Sequence, residues 1–200
     1  MRVINLAEDV EVFTSNAYLV LGDSSTDLVD VGSFPGVEEE IREYADDIDS
    51  VYLTHGHSDH VGNLDEVIDG FDADVYAYDY SGAEEVRDCD EVEIGDESFE
   101  VVYTPGHADD HVTFVGEETV FSGDVFVYND GAYDDGSFGR TDMAGQSRET
   151  LIESLRRVID RLPETAESLY PGHGDEFHGE ISEVVERALE RAERREPKYQ

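Results

Sequence analysis

Residues 54–63 read Thr-His-Gly-His-Ser-Asp-His-Val-Gly-Asn and follow directly on a short apolar run, Val-Tyr-Leu. Imidazole nitrogens and carboxylate oxygens are ligands for a borderline-soft divalent metal. In an extended segment alternate side chains point the same way, so His55 and His57 can converge on one ion. Asp59 and His60 are adjacent, must point apart, and could serve a second ion. A polar surface loop is the alternative, but so dense a cluster favours a site for two metals at the end of a strand.

Three later motifs place single candidate ligands where predicted strands end. Thr-Pro-Gly-His ends in His107, Ser-Gly-Asp ends in Asp124, and Tyr-Pro-Gly-His-Gly contains His173. Earlier in the chain, Val-Asp-Val-Gly carries Asp30 at another strand end, where a carboxylate can orient a metal-bound histidine. A turn-forming aspartate beside glycine is an equal alternative for Asp30. Four predicted strand ends therefore carry candidate ligands, namely residues 55–60 as one cluster, His107, Asp124 and His173.

Hydrophobic periodicity predicts a chain of short strands interleaved with helices. The predicted strands are 17–21, 28–31, 51–53, 73–78, a hairpin over 91–103, 111–115, 119–122 and 168–170. The predicted helices are 36–46, 59–68, 147–162, with Ser147 as its cap, and 180–194. Residues 125–146 lack periodicity and are expected to form an ordered loop beside the site.

The composition indicates one folded and strongly acidic domain over residues 1–200. The formal net charge is -38, from 51 acidic and 13 basic residues, although 38% of the residues are hydrophobic. Near 1 M salt the Debye length is about 3 Å, so such self-repulsion is screened and the charge predicts a halophile's protein. Without a cationic surface, nucleic acid and anionic membranes are disfavoured as partners.

The chain shows neither the apolar core of a secretory signal nor an apolar run of membrane-spanning length, so a cytoplasmic location is expected. Cys89 is the only cysteine, which excludes an internal disulfide. We expect it to be a plain buried or half-exposed thiol. A small molecule is the expected partner, and the oligomeric state stays open.

The motifs, in this order and spacing, resemble those of the metallo-β-lactamase-fold hydrolase superfamily over nearly the whole chain. The resemblance implies an α/β (α+β) fold, a four-layer αββα sandwich with metals at one edge between two mixed sheets. It implies two divalent ions, zinc being expected and iron or manganese the alternatives. It also implies a ligand set, with Asp30 matching the first motif of the family: His55, His57 and His107 on one metal; Asp59, His60 and His173 on the other; Asp124 bridging both.

Phe-Gly-Arg-Thr-Asp at 138–142 resembles the glyoxalase II-like branch of this superfamily, whose members hydrolyse thioesters of thiol cofactors. Water shared by two metals loses its proton near neutral pH, so a bridging hydroxide is the expected nucleophile. Asp59 is then expected to orient it or shuttle a proton, with Asp124 as the second catalytic carboxylate. Substrate contacts are expected from Arg140, Tyr128 and Phe138, although an ion pair for Arg140 and aromatic packing for the rings explain them equally well.

Full glyoxalase II proteins carry a further helical domain with basic residues for the glutathione carboxylates, whereas this sequence ends one helix after His173. Lys198 and the arginines at 187, 191, 194 and 195 do not map onto those residues, so the carrier thiol and the acyl group stay open. Two alternatives remain. One is a persulfide dioxygenase-like enzyme with a single iron on His55, His107 and Asp124, and the other is a metal-binding module without activity.

Overall fold

The computed structural model describes residues 1–197 and contains two six-stranded β-sheets. Lys198 lies outside the described residues. The first sheet runs in chain order, with antiparallel pairing among its first three strands and parallel pairing thereafter. Its strands are β1 (Arg2–Asn5), β2 (Tyr18–Leu21), β3 (Thr26–Val29), β4 (Ser50–Tyr52), β5 (Asp74–Ala77) and β6 (Glu84–Glu85).

The second half of the chain forms the other large sheet and a small hairpin. In chain order its strands are β7 (Glu91–Ile94), β8 (Glu97–Tyr103), β9 (Val112–Val115), β10 (Thr119–Gly123), β11 (Phe126–Val127), β12 (Ser137–Phe138), β13 (Ser168–Pro171) and β14 (Phe177–His178). The order in the large sheet is β14-β13-β10-β9-β8-β7, with only β10 and β13 parallel. The predicted hairpin over 91–103 is confirmed as β7 and β8.

The part of the chain that the structure describes forms five helices. They are α1 (Val37–Arg42), α2 (Ser58–Val61), α3 (Leu64–Phe71), α4 (Arg148–Arg161) and α5 (Ile181–Glu193). The predicted cap of α4 is confirmed, because the Ser147 hydroxyl accepts a hydrogen bond from Thr150 N at 3.2 Å. The other predicted helices begin and end within a few residues of the observed ones, except over 59–68.

Side chains alternate between two cores along each strand. Leu19 packs with α1 and α3 in one hydrophobic cluster, whereas Tyr18 and Val20 face the second sheet in another. On that sheet Phe121 joins the central cluster, and Val120 joins a third cluster with α4 and α5. This period of two fits strands that are buried on both faces. The layers are therefore α, β, β, α, which confirms the predicted sandwich.

Strand direction brings the candidate ligands to one edge of the sandwich. Parallel neighbours end at the same edge, and β3 and β4, which precede Asp30 and His55, are such a pair. In the second sheet, β10 and β13 are also parallel and precede Asp124 and His173. The sheets face each other, so both sets of strand ends meet there.

The continuous helix predicted over 59–68 is wrong, because the chain forms α2, breaks, and then forms α3. The break anchors the segment to the loop after β3. Asn63 N donates to Gly32 O at 3.1 Å, and Asn63 Nδ2 donates to Val31 O and Phe34 O. These bonds replace helical ones at the break, and Val31 N donates to His60 O from the other side.

Two further expectations are refined by the structure. The loop over 125–146 is largely irregular, but it contains the hairpin β11–β12, in which Phe126 pairs with Phe138. Cys89 is exposed, not buried or half-exposed, and lies in the turn between β6 and β7 with a positive φ of 71°. Among residues 1–197, no helix combines the length and hydropathy that crossing a bilayer requires.

Candidate metal centre

Three imidazoles converge at the edge of the sandwich, two from the segment after β4 and one from the loop after β8. His57 Nδ1 lies 3.0 Å from His55 Nε2 and 3.0 Å from His107 Nε2. Nitrogens bound at 2.0–2.1 Å to a tetrahedral zinc ion lie about 3.3 Å apart, so this spacing fits one metal with little adjustment. His55 and His107 are buried and His57 is half-buried.

A second group lies next to the first, and the Asp124 carboxylate stands between them. Asp59 Oδ2 and His173 Nε2 are 3.1 Å apart, and His60 Nε2 lies 3.5 Å from Asp124 Oδ1. Asp124 Oδ2 is 3.3 Å from His107 Nε2 and 3.5 Å from His173 Nε2. The structure thus brings together all seven side chains that the sequence named as ligands.

The site contains two buried polar atoms that a bound cation would satisfy. Among the described residues, His60 Nε2 and Asp124 Oδ1 are buried without a hydrogen-bond partner, although they face each other. Buried polar atoms rarely lack a partner unless an ion or a water serves them. The backbone also leaves room here, since a Cβ at Gly172 would collide with Asp124 Oδ1 and lie 2.7 Å from His60 Cε1. The donor set, mainly imidazoles with two carboxylates, suits zinc or iron.

Asp30 orients two of the histidines from behind the site. Its Oδ2 accepts hydrogen bonds from His60 Nδ1 at 2.7 Å and Thr54 Oγ1 at 2.7 Å, and its Oδ1 accepts from Thr54 N at 2.8 Å. Thr54 Oγ1 in turn lies 3.1 Å from His55 Nδ1. With the Nδ1 protons held in this way, both Nε2 lone pairs are directed into the site. Asp30 adopts a left-handed φ of 56°, which aspartate tolerates.

His111 is a supporting residue that sequence reasoning undervalued. The position of His111 at the start of a predicted strand predicts a partly exposed side chain, with contact to the ligands as the weaker alternative, but the side chain is fully buried. His111 Nε2 accepts a hydrogen bond from Asp124 N at 2.9 Å, so Nδ1 carries the proton and donates to Thr104 Oγ1 at 2.8 Å. The close approach needs Gly123, whose φ is 50° and whose added Cβ would press on the His111 ring. In the sequence, the position of His111 four residues after His107 was the only indication of this supporting role.

The loop that carries His173 is fixed by the other sheet. Asn16 Nδ2 donates to Pro171 O at 2.9 Å and Gly174 O at 3.1 Å, and Tyr18 OH donates to Pro171 O at 2.8 Å. These bonds join β2 to the loop after β13. Nothing in the sequence around Asn16 indicated this role, because the contact spans more than 150 residues.

Burial and neighbouring charge set the protonation of the site. Burial disfavours a charged ring at His55 and lowers its pKa well below 6.5, and burial also lowers the pKa of His107. At His60 burial has the same tendency, but the carboxylates of Asp30 and Asp124 outweigh it and raise the pKa. Negative potential that favours a proton here also favours a metal cation.

The two carboxylates of the site keep their charge. Burial alone would raise the pKa of Asp124, but His173 and His60 hold it well below 3.8. For Asp59 the hydrogen bond from His173 likewise outweighs burial and lowers the pKa. Both side chains are therefore ionised at neutral pH and available as ligands.

A cavity of 820 Å³ opens onto the ligands from solvent. Its wall contains ligands from both groups, and Phe13 and Met143 lie at its mouth. Phe13 is 81% exposed and stacks on the His173 ring at 5.7 Å, which is unusual for an aromatic residue in so acidic a chain. No motif in the sequence indicated a role for Phe13.

The three residues expected to contact substrate lie in different environments. Arg140 lines the cavity, and its Nε and a terminal nitrogen contact Asp142 at 2.5 and 3.1 Å, which is the ion-pair alternative. Tyr128 packs on Phe177 with ring centroids 4.4 Å apart and does not itself line the cavity. Phe138 is fully buried and lies under Arg148. The Tyr128 contact is one of aromatic packing, whereas the Phe138 ring faces a guanidinium.

Comparison with known proteins agrees with this geometry. The family model of the metallo-beta-lactamase superfamily matches residues 10–84 and 76–173. The probable metallo-hydrolase YqgX of Bacillus subtilis (strain 168) is 30% identical over 192 residues, covering 81% of this chain and 86% of that protein. The crystal structure of ETHE1 from Myxococcus xanthus has a TM-score of 0.76 at 26% identity, covering 98% of this chain and 92% of that one.

The hydroxyacylglutathione hydrolase of Aliivibrio fischeri (strain MJ11) is 35% identical over 160 residues, which cover 76% of this chain. The match spans only 58% of the length of that hydrolase. With a family match over most of its length and four layers that carry the ligands at one edge, the chain belongs to the metallo-β-lactamase superfamily.

Proposed function

We propose that this protein is a binuclear metal-dependent hydrolase that cleaves thioesters. The observation that carries the proposal is the position of the Asp124 carboxylate between two convergent ligand groups, with one oxygen facing His60 and the other facing His107 and His173. A single metal would need only one group. The similarity to hydroxyacylglutathione hydrolases supports the thioester as the bond that is cleaved.

The proposed ligands are His55, His57 and His107 for one ion, Asp59, His60 and His173 for the other, and Asp124 for both. Two divalent ions held there would polarise a carbonyl and lower the pKa of a shared water. Zinc is the proposed metal, and iron is compatible with the same donors.

The residues of the chain position the reaction. Asp59 Oδ2 faces the cavity, is ionised, and is proposed to hold or accept the proton of the attacking water. His173 Nε2 lies 3.1 Å from that oxygen, a separation that suits two ligands of one ion. A thioester suits such a site, because its carbonyl is electrophilic and a thiolate can leave without being protonated, so no side chain need act as an acid.

The test is elemental analysis of protein purified in high salt, combined with a thioester hydrolysis assay. We expect two zinc-like ions per chain and turnover. In Asp59→Asn the neutral amide cannot take a proton, so kcat falls about 10²-fold or more. Asp109→Asn, an exposed aspartate outside the site, is the matched control and keeps full activity.

The persulfide dioxygenase-like alternative predicts a different result in the same experiment. It requires one iron per chain and oxygen uptake with a persulfide. It leaves four of the seven side chains without a ligand role, namely His57, Asp59, His60 and His173. Metal-loaded protein that is inert in both assays would support a module without activity. Either result would contradict the proposed thioesterase.

A further inference from the structure

A second, smaller cavity of 260 Å³ adjoins the catalytic one and differs from it in charge. Acidic residues outnumber basic ones 51 to 13 in the chain, but three arginines and only two carboxylates line this cavity. Its wall is formed by Phe138, Arg140, Thr141, Asp142, Arg148, Arg195, Glu196 and Pro197, which we call the arginine pocket. Local positive charge in so acidic a protein needs a physical reason.

Arg148 is the central cation of the arginine pocket. Its Nε donates to Thr141 Oγ1 at 2.7 Å, and its guanidinium lies 4.1 Å from the centroid of the Phe138 ring. Among residues 1–197, no carboxylate lies within 4.0 Å of Arg148, and neither terminal nitrogen has an acceptor. A half-buried guanidinium with free donors in a fixed plane is prepared for a carboxylate or a phosphate. Burial and then the charge of Arg195 lower the pKa of Arg148, and the charges of Glu149 and Asp142 offset this only in part.

The two carboxylates of the arginine pocket are engaged with other arginines. Asp142 binds Arg140 through both oxygens, and Glu196 lies 3.9 Å from Arg191 and from Arg194. Neither therefore forms a direct ion pair with Arg148, although the charge of Asp142 acts on it from a greater distance.

Arg195 enters the arginine pocket from an unfavourable backbone conformation. It follows the last turn of α5 with a φ of 54°, at the position where helices usually place glycine. A side chain there costs about 1 kcal/mol relative to glycine. The only described ion pair of Arg195 is with Glu149, through one terminal nitrogen. The position therefore carries a second cation, although the side chain lowers the stability of the end of α5.

Arg140 connects the arginine pocket to the catalytic cavity, because it lines both. Its carbonyl accepts a hydrogen bond from His107 Nδ1 at 2.9 Å, and Thr141, the next residue, holds Arg148. A ligand that extends from the candidate metal ligands past Arg140 therefore reaches Arg148.

We propose that the arginine pocket binds an anionic group, a carboxylate or a phosphate, at the far end of the thiol carrier. This inference rests on the proposed thioesterase function and adds the class of carrier: an anionic thiol, held by Arg148 and Arg195. In this proposal, residues of this domain bind the anionic group of the carrier.

The test compares thioesters that share one acyl group, lactoyl, on three thiols. Glutathione carries carboxylates, coenzyme A carries phosphates, and N-acetylcysteamine is neutral. We expect a lower KM for one of the two anionic carriers than for the neutral one. Arg148→Gln should raise the KM for that carrier about tenfold or more and leave the neutral substrate unchanged, since a charge-assisted contact is lost.

Arg195→Gly separates binding from folding. Glycine fits the left-handed position, so the midpoint of thermal unfolding should stay the same or rise while the KM for the anionic carrier rises. Arg156→Gln is the matched control, because Arg156 is exposed and pairs with Glu193. Calorimetric titration with glutathione or coenzyme A alone gives a readout that does not need turnover.

The results separate the two proposals. Equal KM values for all three carriers, unaffected by Arg148→Gln and Arg195→Gly, would overturn the arginine pocket while leaving the thioesterase intact. No hydrolysis of any carrier, including the neutral one, would overturn the thioesterase. In that case, binding of either anionic thiol to the wild type but not to Arg148→Gln would still support an anion site, and equal binding would remove it. A preference for glutathione would identify the bound group as a carboxylate, and a preference for coenzyme A would identify it as a phosphate.

Discussion

The two sheets contribute to the metal centre in different ways. The first sheet provides four candidate ligands from one short segment after β4, and a carboxylate, Asp30, supports them from behind. The second sheet provides His107, Asp124 and His173 from three strand ends, and backbone contacts support them. The first half depends on one local turn, whereas the second depends on the register between distant strands.

The two halves of the metal centre, one from each sheet, should therefore be sensitive to different substitutions. Loss of charge at Asp30 should alter the protonation of His60 without moving the backbone. Loss of His111 should displace Asp124, because a buried backbone N–H then loses its acceptor. Substitutions on the two sides should therefore weaken metal binding by separate routes.

The largest effect is expected where the halves meet. Asp124→Ala removes the carboxylate that faces both ligand groups, so we expect activity to fall by at least about 10³-fold and the metal content to drop below two per chain. Elemental analysis and a thioester assay measure both. Asp69→Ala, an exposed aspartate on α3, is the control. An active Asp124→Ala protein with a full metal content would remove the bridging role.

His111→Ala should come next, because it leaves Asp124 N without an acceptor and opens a cavity. We expect metal affinity to fall about 10–100-fold and the free energy of unfolding to fall by about 2–4 kcal/mol. Metal titration and denaturant unfolding test this, with the exposed His178→Ala as control. Unchanged metal affinity would show that the hydrogen bond to His111 does not position Asp124 for metal binding.

Asp30→Asn should weaken metal binding by a similar or smaller factor, about 10-fold, with little loss of stability. Asparagine tolerates the left-handed backbone but cannot supply the charge that orients His60. Asp72→Asn is the matched control, because Asp72 has a φ of 55° and is exposed. If Asp30→Asn destabilises the fold as strongly as His111→Ala, the proposed difference between the halves is wrong.

The smallest expected effect is the pH dependence of the stability that is lost when a chelator removes the metals. Burial opposes protonation of His60, but Asp30 and Asp124 raise its pKa above 6.5. The proton stabilises the metal-free protein at low pH, and this contribution is lost as the pH rises through the raised pKa, while the metal-loaded protein does not hold that proton.

The gap between the unfolding midpoints of loaded and chelated protein should therefore widen as the pH rises above 6.5. For one displaced proton the limit is about 1.4 kcal/mol per pH unit, or roughly 3–6 °C for a chain of this size. Thermal unfolding in high salt, at pH values about one unit apart, measures it. A constant or shrinking gap would contradict the raised pKa.

The resemblance of the motifs to a known family predicted the sandwich and the seven ligands, whereas periodicity alone predicted only the strands and helices. Strand periodicity is a local property of the chain, and the segment after β4 holds four ligand types within reach of one turn. The ligands of the second sheet were predictable only as ends of strands, through motifs typical of a family. Their distances depend on strand register, which no local pattern encodes.

Other features were decided by tertiary packing. The helix over 59–68 breaks because Asn63 bonds to the loop after β3, and His111 is buried because Gly123 lets Asp124 N approach it. The arginine pocket joins α4, the end of α5 and the loop after β12, three segments that are separate in sequence. Composition and periodicity act over a few residues, so they determined the elements and the ligand chemistry. Contacts between distant segments determined which side chains support the metals and where charge collects.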